Sequence, residues 1–155
     1  MSIIHAMPGH LIRRLNQIST SIFQERMQAL GSDLTPVQFG ALASLHDNPG
    51  IDQATLAGLI AYDRVTIGGV VDRMVGKGLI ERRVNARDRR ARQLALTDAG
   101  RALFERLLPE VEALQAEILP GLTEDERALF VALAAKAAEA GNDRSRAPLR
   151  PLDGA

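Results

Sequence analysis

Six of the chain's seventeen arginines fall within thirteen residues, in the run Glu81-Arg82-Arg83-Val84-Asn85-Ala86-Arg87-Asp88-Arg89-Arg90-Ala91-Arg92-Gln93. A guanidinium group is permanently charged and presents a planar fork of donors, which matches a phosphate or the edge of a guanine. The run is framed by Leu79-Ile80 before it and Leu94-Ala95-Leu96 after it. Those apolar flanks read as two strands, with the arginines at the tip that joins them. Asp88 stands among Arg87, Arg89 and Arg90, where it can orient one arginine and leave another free to enter a minor groove. A solvated charge run is the plainer reading of such a segment. It does not account for the regular strand alternation on either side.

A second group of candidate residues lies just upstream. Asp52 caps a short apolar helix carrying Leu56, Ala57 and Ile60, and Asp63 caps another that runs from Arg64 to about Lys77. The connection at Ala61-Tyr62 is tight, and Ala57 supplies the small side chain that two crossing helices need. These are helix-turn-helix proportions, in which the start of the second helix enters the major groove. Arg64, Thr66, Ile67 and Gly68 are therefore expected at the bases: arginine for guanine, threonine for base or phosphate, isoleucine for a thymine methyl. Val65, Val70 or Val71, and Met74 are expected inward. Gly68-Gly69 costs roughly 0.5–1 kcal/mol per glycine inside a helix. Close approach either to DNA or to a neighbouring helix would explain the pair. Arg73 is placed for a phosphate, or for an ion pair with Asp72 or Glu81. A helix-turn-helix followed at once by an arginine-tipped hairpin describes a winged helix.

Net charge over the 155 residues is zero, and distribution matters more than the total. Residues 61–93 hold nine basic side chains against four acids, so the remainder is acidic, much of it in 105–139. A basic block of this kind is the footprint of a face that meets phosphates. Arginine outnumbers lysine 17 to 2, a bias that a GC-rich genome would also produce. With no cysteine, disulfides, thiolate metal sites and thiol redox sensing are excluded. His5, His10 and His46 show no metal-ligand spacing, and no nucleophile has an evident base. No metal, cofactor or enzymatic activity is expected. The start, Met-Ser-Ile-Ile-His-Ala-Met-Pro, has no secretory character, and no window reaches the ~18 apolar residues of a membrane span. A cytoplasmic protein with no membrane partner is expected.

The positioning elements are helices interrupted by one hairpin. A first helix over 8–30 carries Leu11, Leu15, Ile18, Ile22, Met27 and Leu30 at helical spacing. Thr35-Pro36-Val37-Gln38 opens a second as a capping box, and Asn48-Pro49-Gly50 ends it. After the hairpin of 79–96, Thr97 caps a long helix with Leu103, Leu107, Val111, Leu114 and Ile118 in line. Thr123 to Glu126 is a further capping box, opening a helix with Phe130, Leu133 and Ala137 inward. The expected fold is mainly α: a winged helix-turn-helix lobe with a two-stranded β-wing over 35–97, and dimerisation helices over 8–30 and 98–140. Together they make one domain over 1–140. The Pro-, Arg- and Asp-rich tail 141–155 is expected to be disordered.

The run Asp63-Arg64-Val65-Thr66 through Val71-Asp72-Arg73-Met74 to Lys77-Gly78-Leu79-Ile80-Glu81-Arg82 resembles the recognition helix and first wing strand of MarR-type regulators. Ala86-Arg87-Asp88-Arg89-Arg90-Ala91 and Leu94 to Gly100 are similar to that family's wing tip and following helix cap. Where the family's wing often opens with Asp, this chain has Asn85. The resemblance spans roughly residues 8–140. It implies a homodimer with the first, fifth and sixth helices intertwined, a pseudo-palindromic duplex operator, and Arg90 in the minor groove with Asp88 as its partner. The long apolar-striped first and fifth helices, separated by the whole DNA-reading module, independently favour a dimer.

The resemblance further implies a small anionic or aromatic effector held between the dimer helices and the DNA-reading lobe. His10, Arg13 and Arg14 at the start of the first helix, with Gln38 and Phe39 at the start of the second, are the candidates. His10 and Arg14 share a helix face, so Arg14 (or Arg13) can hold a carboxylate with His10 as donor. Solvated arginines, or pairing across a dimer, are the alternatives. The polar start of the first helix is similar to branches that sense aromatic acids or their coenzyme A thioesters. The function expected is a ligand-released repressor. A winged helix that binds a protein partner, or an architectural DNA binder without effector, are the competing readings.

Overall fold

The computed structural model describes residues 2–90 and 92–152; Met1, Ala91 and residues 153–155 lie outside it. Six helices and one hairpin follow in the expected order: α1 (Pro8–Ala29), α2 (Pro36–Asp47), α3 (Gln53–Leu59), α4 (Arg64–Gly76), β1 (Ile80–Val84), β2 (Arg92–Leu96), α5 (Asp98–Leu114) and α6 (Glu124–Ala140). Five of the six begin on side-chain caps. Thr35–Gln38 and Thr123–Glu126 form complete capping boxes, and Asp52, Asp63 and Thr97 each accept from the backbone N–H three residues on. Each bond satisfies one of the free amides at a helix start.

Helices α1 to α5 close around one core with the hairpin at its edge. Met27, Leu42, Leu45, Leu56, Met74, Leu94 and Leu107 are fully buried there. Truncating any of them to alanine removes roughly 2–5 kcal/mol. The register of α4 differs from expectation. Ile67, Val70, Val71 and Met74 form its buried stripe, whereas Val65 is 87% exposed. Ile67 is thus a core residue and cannot touch a thymine methyl. Its spacing to Val70, Val71 and Met74 is i, i+3, i+4, i+7, the repeat of one helix face. Val65 lies about 200° away around the helix at about 100° per residue.

The wing is tied down at its base. β1 and β2 pair antiparallel from Ile80↔Leu96 to Val84↔Arg92. The other edge of β2 is used too: Gly50 N donates to Leu94 O, and Leu94 N to Ile51 O, both at 2.8 Å. Gly78, at φ +72°, ends α4 while Leu79 N reaches back to Met74 O at 3.0 Å. Thr97 then links three elements. Its hydroxyl donates to Gly78 O at 2.6 Å and accepts from Gly100 N at 3.0 Å, and its backbone N donates to Leu79 O at 3.1 Å.

Two expectations about the C-terminal third are revised. No residue of α6 is buried in the single chain; Leu129, Phe130, Val131 and Leu133 all face solvent. Phe130, Leu133 and Ala137, expected inward, are therefore not part of the single chain's core. The tail is not a disordered segment over 141–152. A single 3-10 turn at Asn142–Arg144 leads into a stretch that bonds to α3 through Arg150 N and Gly58 O at 2.8 Å. The rest of the expected disorder, 153–155, lies outside the described residues.

Among the described glycines the tightest seat is Gly100, where a Cβ would stand 2.0 Å from Leu79 O. That oxygen is backbone and already bonded to Thr97, so it cannot yield cheaply. Gly100→Ala is expected to destabilise the chain by about 1–3 kcal/mol through forced backbone shifts. Urea unfolding followed by circular dichroism measures it; an unchanged midpoint would show that α5 can slide away at no cost.

Candidate nucleic-acid interface

The recognition helix is built from its cap upward. Asp63 accepts from Thr66 N at 2.9 Å and from the Thr66 hydroxyl at 2.7 Å. Thr66, expected at bases or phosphate, is exposed, but its hydroxyl is held by this cap. These bonds hold the Asp63 carboxyl below its ordinary pKa, and the Thr55 N–H does the same for Asp52 at the start of α3. Arg64 and Val65 project from the first turn, both exposed. The apolar side chain available to a thymine methyl is therefore Val65. Gly68, expected at the DNA, is half-buried on the α3 side, where a Cβ would lie 3.3 Å from Gln53 Nε2. Helix packing accounts for it. Gly69 serves differently: the Arg73 guanidinium folds back to within 3.7 Å of where its Cβ would be.

Ion pairing sorts the arginines. Asp72 pairs with Arg82 and Glu81 with Arg83. Both acids that might have held Arg73 are thereby engaged elsewhere. Among the described residues, Arg64, Arg73, Arg87, Arg89 and Arg90 take part in no ion pair. All five are exposed.

The wing tip is shaped by two side-chain turns. Asn85 Oδ1 accepts from Arg87 N, and Asp88 Oδ1 accepts from Arg90 N, each at 2.9 Å. Asp88 thus partners Arg90 through its backbone and leaves its guanidinium free. Asn85 does the equivalent job for Arg87, so the Asp that is missing there is not needed for the turn. Ala91, the last residue of the wing-tip motif, lies outside the described residues.

The candidate effector residues are dispersed within one chain. Arg13 donates to Gln17 Oε1 at 3.0 Å, Arg14 is exposed, and the ring of His10 lies 5.5 Å from that of His5. Gln38 is 5% exposed, with its Oε1 accepting from Thr35 N as the second half of the capping box. Its first duty is structural. Phe39 packs between Phe23 and Phe104, at centroid distances of 6.2 and 5.5 Å. Phe23 is nine residues beyond Arg14, or about 13 Å along α1 at 1.5 Å per residue. Sequence reasoning passes over His46, whose ring lies tilted against that of Phe104 at a centroid distance of 4.8 Å and bonds Asp47 at 2.9 Å. Only the tertiary meeting of α2 and α5 reveals that cluster.

A capped recognition helix, a braced β-wing and five exposed arginines free of ion pairs on those two elements define a winged helix-turn-helix DNA-binding protein. Comparison with known proteins agrees. The MarR family model matches residues 34–91. The HTH-type transcriptional repressor NicR of Pseudomonas putida is 34% identical over 83% of this chain and 80% of its own. Among solved structures, BpsR of Bordetella bronchiseptica, whose DNA binding is regulated by 6-hydroxynicotinic acid, superposes with a TM-score of 0.82. It shares 31% identity over 90% of this chain and 97% of its own. A variant of E. coli MarR complexed with operator DNA gives 0.78, with 30% identity over 88% and 99%. The chain belongs to the MarR family of transcriptional regulators. Its relatives are regulators and not enzymes, as expected for this chain.

The Asp63 cap sets a pH dependence for the interface. A carboxyl whose folded pKa is depressed contributes stability above its unfolded pKa and loses it as pH falls through the folded value. The start of α4 is therefore expected to loosen on acidification below about pH 4, where carboxylates take up protons. Asp63→Ala should lower stability at neutral pH and flatten its acid dependence. Amide exchange at Thr66 between neutral and acidic pH reports this directly; equal protection in both proteins would refute the role.

Proposed function

We propose that the chain is a homodimeric repressor that holds a pseudo-palindromic operator in the cytoplasm and is released by a small aromatic carboxylate, free or as its coenzyme A thioester. The observation that carries this reading is the division of the surface. Exposed arginines free of ion pairs stand on α4 (Arg64, Arg73) and the wing (Arg87, Arg89, Arg90), while exposed large apolar side chains gather on α1 and α6. Ile12, Leu129, Val131 and Leu133 are each more than half exposed, and such a surface favours burial against a second copy. A two-fold pair would present two recognition helices to successive major grooves, about 34 Å apart. The likeness to BpsR supports an aromatic acid as the effector. Arg14 or Arg13 holds its carboxylate with His10 as donor, and a partner subunit brings these residues towards the Phe39 side of the lobe.

Gel-shift titration on the DNA flanking its own coding region is expected to give a discrete, salt-sensitive complex. Arg90→Ala should weaken binding to all sequences and reduce the salt slope by about 1. Arg64→Ala should instead relax preference at one base pair by about 1–3 kcal/mol. A uniform loss from Arg64→Ala would remove it from base reading, and absence of any site-specific shift would end the repressor reading.

Thermal-shift screening with aromatic carboxylates and their thioesters addresses the effector. Ligand at 100 times its Kd should stabilise the dimer by about 2.7 kcal/mol. The gain should vanish in Arg14→Ala or Arg13→Ala and persist in the other. Persistence in both variants would place the site elsewhere.

A further inference from the structure

Residues 142–152 leave the end of α6 and fold back over the helix-turn-helix. Asn142 closes the return on itself: its Nδ2 donates to Leu149 O at 2.9 Å, and its Oδ1 accepts from Leu149 N at 2.7 Å. Next, Arg150 N donates to Gly58 O at 2.8 Å. The seat is shaped for this contact, because a Cβ at position 58 would stand 3.0 Å from the Arg150 Cβ. Residues 145–147 line one cleft with Tyr62, Asp63 and Thr66, and residues 150–152 line another with Asp52, Thr55 and Gly58. The arm therefore runs along α3 and reaches the first turn of the recognition helix.

Its chemistry is cationic. The stretch 142–152 contains Arg144, Arg146 and Arg150 against the single acid Asp143. All three arginines are exposed, and among the described residues none takes part in an ion pair. The arm is anchored by backbone and by aliphatic stem, which leaves guanidinium groups for another partner. A segment that masked this surface would need acidic side chains to face Arg64 and the wing. The sign here is the opposite. In a helix-turn-helix the first helix crosses the DNA backbone, and α3 is the helix on which the arm lies.

We propose that the C-terminal arm is a third DNA-binding element, which places Arg144, Arg146 and Arg150 on phosphates flanking the major-groove contact of α4. This rests on the chain binding duplex DNA through its winged helix. Phosphate contacts add affinity without sequence preference, and each released counterion steepens the salt dependence.

The test uses the full chain and fluorescence anisotropy on two duplexes, one from the region upstream of its own coding sequence and one of random sequence. Salt is varied between about 50 and 200 mM. The triple variant R144A/R146A/R150A is expected to bind both duplexes roughly tenfold more weakly at the lower salt, with a slope shallower by about 1 for each phosphate no longer neutralised. Gly58→Leu keeps every charge but fills the arm's seat, and should give an intermediate loss. The triple lysine variant should retain most of the affinity, since charge rather than a planar fork is required. Equal affinity and slope in the alanine variant would overturn the proposal, and tighter binding would make the arm a cover. Should the alanine variant fail to fold, the triple glutamine variant is read by the same criteria. A wild-type chain that binds neither duplex would overturn the winged-helix reading along with the arm; binding that ignores the arm overturns the arm alone.

Discussion

Everything the recognition helix offers to DNA depends on which of its faces is buried. Ile67, Val70, Val71 and Met74 are all inaccessible to solvent, and withdrawing this stripe from the core would cost several kcal/mol per side chain. The orientation of α4 is thereby set from inside, and the outward residues follow without further choice. Arg64 and Val65 project from the first turn, and Arg73 lies back along the helix over Gly69. A helix interior with two glycines is weak by propensity. The buried stripe and the Asp63 cap hold it in place.

The electrostatics are organised by subtraction. Arginines that sit beside acids are taken up locally, Arg82 by Asp72 and Arg83 by Glu81, while Arg26 of α1 is shared between Glu110 and Glu117 at 3.0 and 2.6 Å. The exposed pairs at the wing add little to stability. Their effect is to quiet part of the positive charge, so that the remaining cations stand out at the wing tip and the first turn of α4. A chain of zero net charge thus carries a locally basic recognition helix and wing.

Local chemistry is legible in the sequence, and long-range placement is not. Caps at Thr35, Asp52, Asp63, Thr97 and Thr123 are written in single residues with offset partners, so helix starts can be read directly. The hairpin is legible because apolar flanks bound a polar tip. The phase of α4 is easily misjudged: Val65 and Ile67 are both β-branched and apolar, and only strict adherence to the i, i+3, i+4, i+7 repeat selects Ile67. Gln38 carries two readings, and its buried capping role is the one the structure shows. Composition misleads at the tail, where prolines and charges suggest disorder. Its order comes from the Asn142–Leu149 clamp and the Gly58 seat, which pair residues by spatial meeting rather than by any periodic pattern. The grouping of His46 with Phe104 is invisible in the sequence for the same reason.

The contact of Gly100 with Leu79 has a mechanical meaning. Here α5 meets the end of α4 and the root of the wing with no side chain between them, and Thr97 stitches the three together. Such a joint transmits rotation without slack. The seventeen residues of α5 make an arm of about 25 Å at 1.5 Å per residue. A tilt of about 5° at its far end moves the joint by roughly 2 Å over that length, enough to take a guanidinium from contact with a phosphate to none. The molecule is, in that respect, a lever whose working end is a missing methyl group.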